Sequence, residues 1–245
     1  MLRIVVLLLT LATSFNVFAD EAIGRVILSL GENHAENLRG ETRTLKRDSI
    51  VFEKERLLTS KRGRLHIRFN DGSTINMKPD SKLQLARYLY REDQPEEGVA
   101  VFQLMRGGLR TISGKIGKAN PDRYRFQTVL ATIGIRGTEY EIYLCDRRCS
   151  EKNQVIQGVA GGVDQGGIVI DTPVGDADLD PGRYFEMERG ATAFRLTDER
   201  PAMLKIGDPA PEPKPEPVAV ECEESSDGGQ GQDPFQIWSD CKAQS

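Results

Sequence analysis

The stretch "ATIGIRGTEYEIYL", residues 131–144, decides how this chain is read. Ile133 and Ile135, then Tyr140, Ile142 and Leu144, recur at every second position, the period of a strand with one buried face. Gly134 and Gly137 interrupt the run where a regular strand would be weakened, and Arg136 stands between them. The break marks a local requirement of the backbone.

The same alternation extends outward in both directions. "GRVILSL" (24–30) and "RLHIRF" (64–69) are strand-like, the second setting Leu65, Ile67 and Phe69 against Arg64, His66 and Arg68. "NDGS" (70–73) holds Asp71, Gly72 and Ser73; Asp-Gly tolerates positive φ and suits a tight hairpin, with "TINMKP" as the return strand. "KLQLARYLY" (82–90), the charged loop "REDQPEEG" and "VAVFQLMRGGLRTISG" (99–114) follow, and 154–190 is again short β runs punctuated by glycine. No window keeps a helical period. The expected class is therefore all-β, in a β-solenoid-like or sandwich arrangement of many short strands. Gly63, Gly107 with Gly108, and Gly161 with Gly162 each precede an alternating run at spacings of roughly fifty residues, a hint of coiled or wrapped β structure.

The ends differ from this body. Arg3, the apolar run Ile4–Leu11 and "VFA" at 17–19 have the form of a cleavable export signal, with removal expected after Ala19 and a periplasmic, oxidising destination. Asp20 would follow the cut, so no lipid anchor is expected, and no later apolar run is long enough to span a bilayer. The domain is expected over residues 20–207. A Pro/acidic linker occupies 208–220, and 221–245 is a mostly irregular tail with too few apolar residues for a core, in which Trp238 would cover its own disulfide or a patch of the domain.

In an oxidising space four cysteines suggest two disulfides, and the local pairing, Cys145 with Cys149 and Cys222 with Cys241, is expected. Zinc would prefer C-x2-C spacing, which neither pair has. The net charge of −4 hides an asymmetry: residues 39–136 carry 21 Lys+Arg against 11 Asp+Glu, and 137–245 carry 10 against 22. An anionic partner would exploit the basic half; two solvated faces, or an acidic tail lying on a basic domain, would produce the same count.

Catalytic constellations are sparse. The two histidines, His34 in "GENHAEN" and His66 on the polar phase of a strand, belong to no metal spacing. There is no G-x-S-x-G and no glycine-rich loop entering a helix. Asp171, Asp176, Asp178 and Asp180 have the spacing of oxygen-ligand loops but lack the EF-hand's central glycine and closing Glu, so a solvated turn is expected. Glu139 and Glu141 flank Tyr140 as ordinary solvent-facing alternation. No catalytic residue, metal or cofactor is expected. Nucleic-acid binding is not expected either, because no groove-entering helix or aromatic interleaving accompanies the basic residues.

Thr59, Gly63 and Asp71–Ser73 in "LLTSKRGRLHIRFNDGS", Leu104, Gly107 and Leu109 in "LMRGGL", and Ile135–Thr138 as I-R-G-T resemble, in this order, the hallmarks of the FecR domain, a periplasmic module named from a ferric-citrate regulator. The resemblance covers residues 24–145. It implies that the Arg136–Gly137–Thr138 corner redirects the chain between two β arms: Gly137 takes a backbone conformation closed to other residues, Arg136 clamps carbonyls or a carboxylate, and Thr138 caps the turn. The regulators carry a cytoplasmic anti-sigma segment and a membrane helix before this domain. Here the FecR-like part follows the export signal directly, which implies a free-standing, non-catalytic periplasmic protein acting as a binding or signalling accessory. Its partner would be an envelope protein or a cell-wall glycan, and the alternative is a peptidoglycan-binding or structural envelope protein.

Overall fold

The computed structural model describes residues 21–209. Fifteen strands run through them: β1 (Ala22–Leu30), β2 (Asn33–Glu36), β3 (Thr42–Thr44), β4 (Ile50–Phe52), β5 (Arg56–Thr59), β6 (Arg64–Phe69), β7 (Thr74–Met77), β8 (Lys82–Leu89), β9 (Val99–Ile112), β10 (Tyr124–Gln127), β11 (Thr132–Cys145), β12 (Gly158–Thr172), β13 (Gly175–Leu179), β14 (Tyr184–Glu188) and β15 (Arg195–Thr197). Two short helices, α1 (Lys115–Ala119) and α2 (Arg147–Asn153), lie between them. The export signal, the linker from residue 210 and the tail with Cys222, Trp238 and Cys241 lie outside the described residues.

All strands belong to one open sheet, antiparallel except where β9 and β10 run parallel. Three strands are long, and each changes partners part-way. Residues 99–106 of β9 pair with β8 and with β10, whereas 107–112 pair with β7 and β11. Residues 132–136 of β11 lie between β10 and the 167–171 half of β12, whereas 139–145 lie between β9 and the 158–165 half. The two halves of β12 in turn carry β13 and β14. The sheet thus folds on itself into two layers. The first runs β3–β2–β5–β8–β9–β10–β11–β12–β13 and the second β4–β1–β6–β7–β9–β11–β12–β14–β15.

Glycines make the corners because a sharply redirected strand needs positive φ, which side chains resist. Gly107, Gly137 and Gly166 have φ of 79°, 63° and 74°. Gly166 packs directly on the carbonyls of Arg136 and Gly137, so the bends of β11 and β12 coincide. Gly161 and Gly162, expected to precede a new coil, instead lie within the 158–165 half of β12, where the rings of Phe185 and Tyr184 occupy the space a side chain would need. Of the two expected arrangements the sandwich is the one formed, by folding a single sheet.

The inner faces meet through aromatic rings contributed by both layers. Phe69 on β6 packs against Tyr88 on β8 and Phe102 on β9, at 5.6 and 5.1 Å between centroids, and Phe126 on β10 meets Tyr140 on β11 at 6.2 Å. Such rings dominate the burial energy of a core this thin. A second, smaller apolar cluster lies where Tyr143, Cys145 and Ala160 are covered by Met203 and Leu204 of a 3-10 turn, Ala202–Lys205. The segment ending the domain therefore crosses the second layer and hides part of its outer face.

Candidate functional site

The motif residues fall at strand ends. Gly72 N donates to Phe69 O and Phe69 N to Ser73 O, a turn closed by a bulge in which only Gly72 takes positive φ, 83°. Asp71 is 2% exposed, and its Oδ1 accepts from Ser73 N, Ser73 Oγ and Tyr88 Oη at 3.1, 2.6 and 3.0 Å. Tyr88 Oη also accepts from Asp71 N at 2.8 Å, and burial pushes the phenol well above its ordinary range. The Asp71 carbonyl accepts from Lys115 N, and its Oδ2 from Ile116 N. One buried carboxylate thus ties the hairpin turn, β8 and the start of α1 together.

The Arg136–Gly137–Thr138 corner grips the neighbouring residues of that segment. Ser113 N donates to Thr138 O, Thr138 N to Ser113 Oγ at 2.8 Å, and Thr138 Oγ1 to Gly167 O at 2.6 Å. Arg136 N donates to Thr138 Oγ1 at 3.0 Å. The Arg136 guanidinium reaches Asp178 at 3.0 Å, with side-chain exposures of 63% and 61%. It is a solvent-facing pair, and Thr138 is the buried member that closes the corner. Thr59 is built similarly, its hydroxyl donating to Lys78 O and accepting from Ser81 N.

The principal polar constellation lies on the outer face of the second layer and was not legible as one in the sequence. Glu141, expected to face solvent, is 3% exposed because the 200–208 segment crosses it. Arg200 donates through Nε and Nη2 to the two Glu141 oxygens at 2.6 and 2.7 Å, and through Nη1 to Asp208 at 2.7 Å. Lys78 Nζ donates to Asp208 at 2.7 Å and to Leu204 O, and sits 3.8 Å from Glu141. Asp208, which the composition assigns to the linker, is therefore an anchor of the domain.

Burial lowers the Lys78 ammonium's pKa, with Asp208 and Glu141 opposing. Burial would raise the Asp208 carboxyl, but Arg200 and Lys78 hold it below the usual carboxylate range. The Arg200 guanidinium is raised, first by its bond to Glu141. Beyond these lie Arg64, Asn76, Arg110, Asp164 and Tyr184, completing a depression of about 450 Å3. Arg110 bonds Glu139 at 2.9 Å and lies 3.1 Å from Asp164 Oδ2, off the hydrogen-bond direction. Burial raises the Asp164 carboxyl, against the pull of Arg110.

Chemically this is mostly a set of paired charges: Glu139, Glu141 and Asp208 are hydrogen-bonded by guanidinium or ammonium groups, whereas Asp164 Oδ2 has only the off-axis approach of Arg110. Tyr124 and Tyr140 bring their hydroxyls to 3.3 Å in the core, but burial pushes Tyr124 up to about 12 and Tyr140 well above its usual value. His34 lies on β2; His66 is half-buried on β6, its pKa lowered by burial and then by Arg68. No group of three metal-ligating side chains occurs among the described residues. Asp171, Asp176, Asp178 and Asp180 are exposed along and beside the β12–β13 hairpin. Cys145 and Cys149 form a disulfide that ties the end of β11 to α2, which Asp146 caps by accepting from Cys149 N.

Residues 55–162 match the family described as "FecR protein", a span that starts later and ends later than the 24–145 of the sequence resemblance. No curated protein matches the chain. Two crystal structures of a "putative anti-sigma factor" from Parabacteroides distasonis ATCC 8503 are similar at 11% and 12% identity, with TM-scores of 0.46 and 0.45. Each similarity covers 59% of this chain and 59% of the other, so this chain spans under two thirds of those relatives. A cell surface anchoring domain is similar at 29% identity over 27% of this chain and 87% of its own, with a TM-score of 0.26. Thr59, Gly63, Asp71–Ser73, Gly107 and Arg136–Thr138 all fall within the span that matches the FecR family, residues 55–162.

Proposed function

We propose that this protein is a non-catalytic FecR-domain module of the periplasm, acting as a binding accessory in envelope signalling or regulation. The FecR match over residues 55–162 carries the reading, because that family is regulatory. The polar chemistry supports it: Lys78, Glu141, Arg200 and Asp208 neutralise one another and hold the 200–208 segment in place, the arrangement of a scaffold. The motif residues likewise spend their hydrogen bonds on shape. What the fold offers a partner is therefore surface, and no helix among the described residues is long and apolar enough to cross a membrane.

The test is affinity capture from the envelope fraction of the producing cells, using the oxidised processed chain with chemical crosslinking and mass spectrometry of proteins and glycans. Reproducible recovery of a sensor, receptor or other regulatory protein is expected. Recovery of wall glycan alone would replace this reading with a wall-binding one, and a turnover activity abolished by a single carboxylate substitution would end the non-catalytic assignment.

A further inference from the structure

The outer face of the second layer is divided. Where β9, β11 and β12 meet, its carboxylates Glu139, Glu141 and Asp164 are taken by Arg110 and Arg200. Across β4, β1 and β6 the balance is different. Cross-strand partners share a face, and one row reads Ile50–Arg25–Arg68–Thr74–Ile112. The next reads Leu28–His66–Asn76–Arg110, and Leu30 stands opposite Arg64.

Two features of these rows are costly in an isolated sheet. Arg25 and Arg68 are exposed and directly opposite, a like-charge pair that destabilises strand pairing. Arg25 donates to the Asp48 carbonyl, and neither guanidinium has a carboxylate partner among the described residues. Arg68 also depresses the protonation of His66, a sign of the positive field on this face. Around the arginines, Ile50, Leu28, Leu30 and Ile112 are 38, 42, 48 and 47% exposed. The turn that abuts β1 adds exposed Lys46 and Arg47, and the turn before β6 adds exposed Lys61 and Arg62.

We propose that the β4–β1–β6 face docks on an anionic lipid surface, with Arg25 and Arg68 at the headgroup phosphates and Leu28, Leu30 and Ile50 at the edge of the hydrocarbon. Charge and apolarity together select this occupant. A second copy would bring arginine against arginine. An acidic peptide held by its side chains needs pockets for its anchors, and neither of the two principal depressions takes in Arg25, Arg68, Leu28, Leu30 or Ile50. A bilayer interface accepts exposed leucine beside arginine without a pocket, and its charge density requires no register.

Vesicle flotation of the oxidised processed chain, comparing phosphatidylglycerol-containing with pure phosphatidylcholine vesicles, tests this. Binding is expected only to the anionic vesicles and is expected to fall with added salt. The double change Arg25→Ser with Arg68→Ser is expected to weaken it about thirtyfold, and Leu28→Ser with Leu30→Ser several-fold. Arg148→Ser with Lys152→Ser, exposed on α2, should leave it unchanged. These exposed substitutions leave the core intact, and an unchanged thermal transition verifies that. Equal binding to both vesicle types, indifference to the Arg25 and Arg68 changes, or full displacement by soluble polyglutamate with no effect of the leucine changes overturns the proposal. The last outcome would assign the face to an acidic polypeptide, and none of the three bears on which envelope partner is captured.

Discussion

Asp71 and Thr138, far apart in sequence, bond to the same short segment: the Asp71 carbonyl accepts from Lys115 N, while Thr138 exchanges hydrogen bonds with Ser113. Gly114 lies between, and a side chain there would collide with Asp71 and Ser73. The D-G-S and R-G-T motifs thus act as one clasp on the chain as it leaves β9, at the point where both layers share strands.

That clasp predicts a graded loss of stability. Asp71→Ala orphans the Ser73 and Tyr88 donors inside the protein and is expected to cost about 3 kcal/mol; Tyr88→Phe, which keeps the ring packing on Phe69, about 1–2 kcal/mol. Urea titration measures both. A loss under about 0.5 kcal/mol for Asp71→Ala would show that the buried carboxylate is not a structural tie.

The corner glycines are expected to differ sharply although both have positive φ. At Gly107 a methyl would meet the side chain and backbone of Ser81, so Gly107→Ala should cost more than about 3 kcal/mol, from strain and collision together. At Gly137 nothing lies within 4 Å of the added carbon, so Gly137→Ala should cost only about 1 kcal/mol and Gly137→Asn less. Equal losses at the two sites would contradict this account of the corners.

The disulfide closes a loop with a sequence separation of only 4, so its effect on the unfolded chain is small. Replacing both Cys145 and Cys149 by Ser is expected to cost on the order of 2 kcal/mol by chain entropy, modified by lost packing under Met203 and Leu204. Thermal unfolding under oxidising conditions measures it. A doubly substituted protein that no longer folds would mean that the covalent tie, rather than the apolar cover, secures this end of β11.

Much of the fold was legible because the strand period is strong: Leu65, Ile67 and Phe69, or Tyr140, Ile142 and Leu144, all face inward as their alternation requires. The glycine at 137 was legible too, since an R-G-T break in a β run has few conformational uses. Glu141 was not. Alternation correctly places it on the face opposite Tyr140, but local pattern cannot say that a segment some sixty residues later will cover that face. For the same reason Arg200 and Asp208 read as loop and linker residues. The Arg25–Arg68 juxtaposition was hidden as well, because register between strands far apart in sequence is set by tertiary pairing.

The covering segment supplies the last prediction, which turns on acid. The Asp208 carboxyl is held below its usual value of 3.8 by Arg200 and Lys78, so it contributes stability above that value and loses it as pH falls through the lower, folded-state value. Asp164 has the opposite sign: burial raises its carboxyl, so ionisation there opposes folding at neutral pH and protonation relieves it first. The 200–208 segment should therefore stay docked as pH falls to about 4 and release only below it. Amide hydrogen exchange at Leu204 and Ile206, corrected for intrinsic rates, follows this directly, since both amides are bonded within the turn. Arg200→Ala leaves the nearly buried Glu141 facing only Lys78 at 3.8 Å. It is expected to cost roughly 2–3 kcal/mol, less than a fully buried pair because Arg200 is partly exposed, and to move the release toward neutral pH. Protection that persists unchanged to the lowest pH at which the sheet survives, in both proteins, would mean that Met203 and Leu204 hold the segment by burial alone.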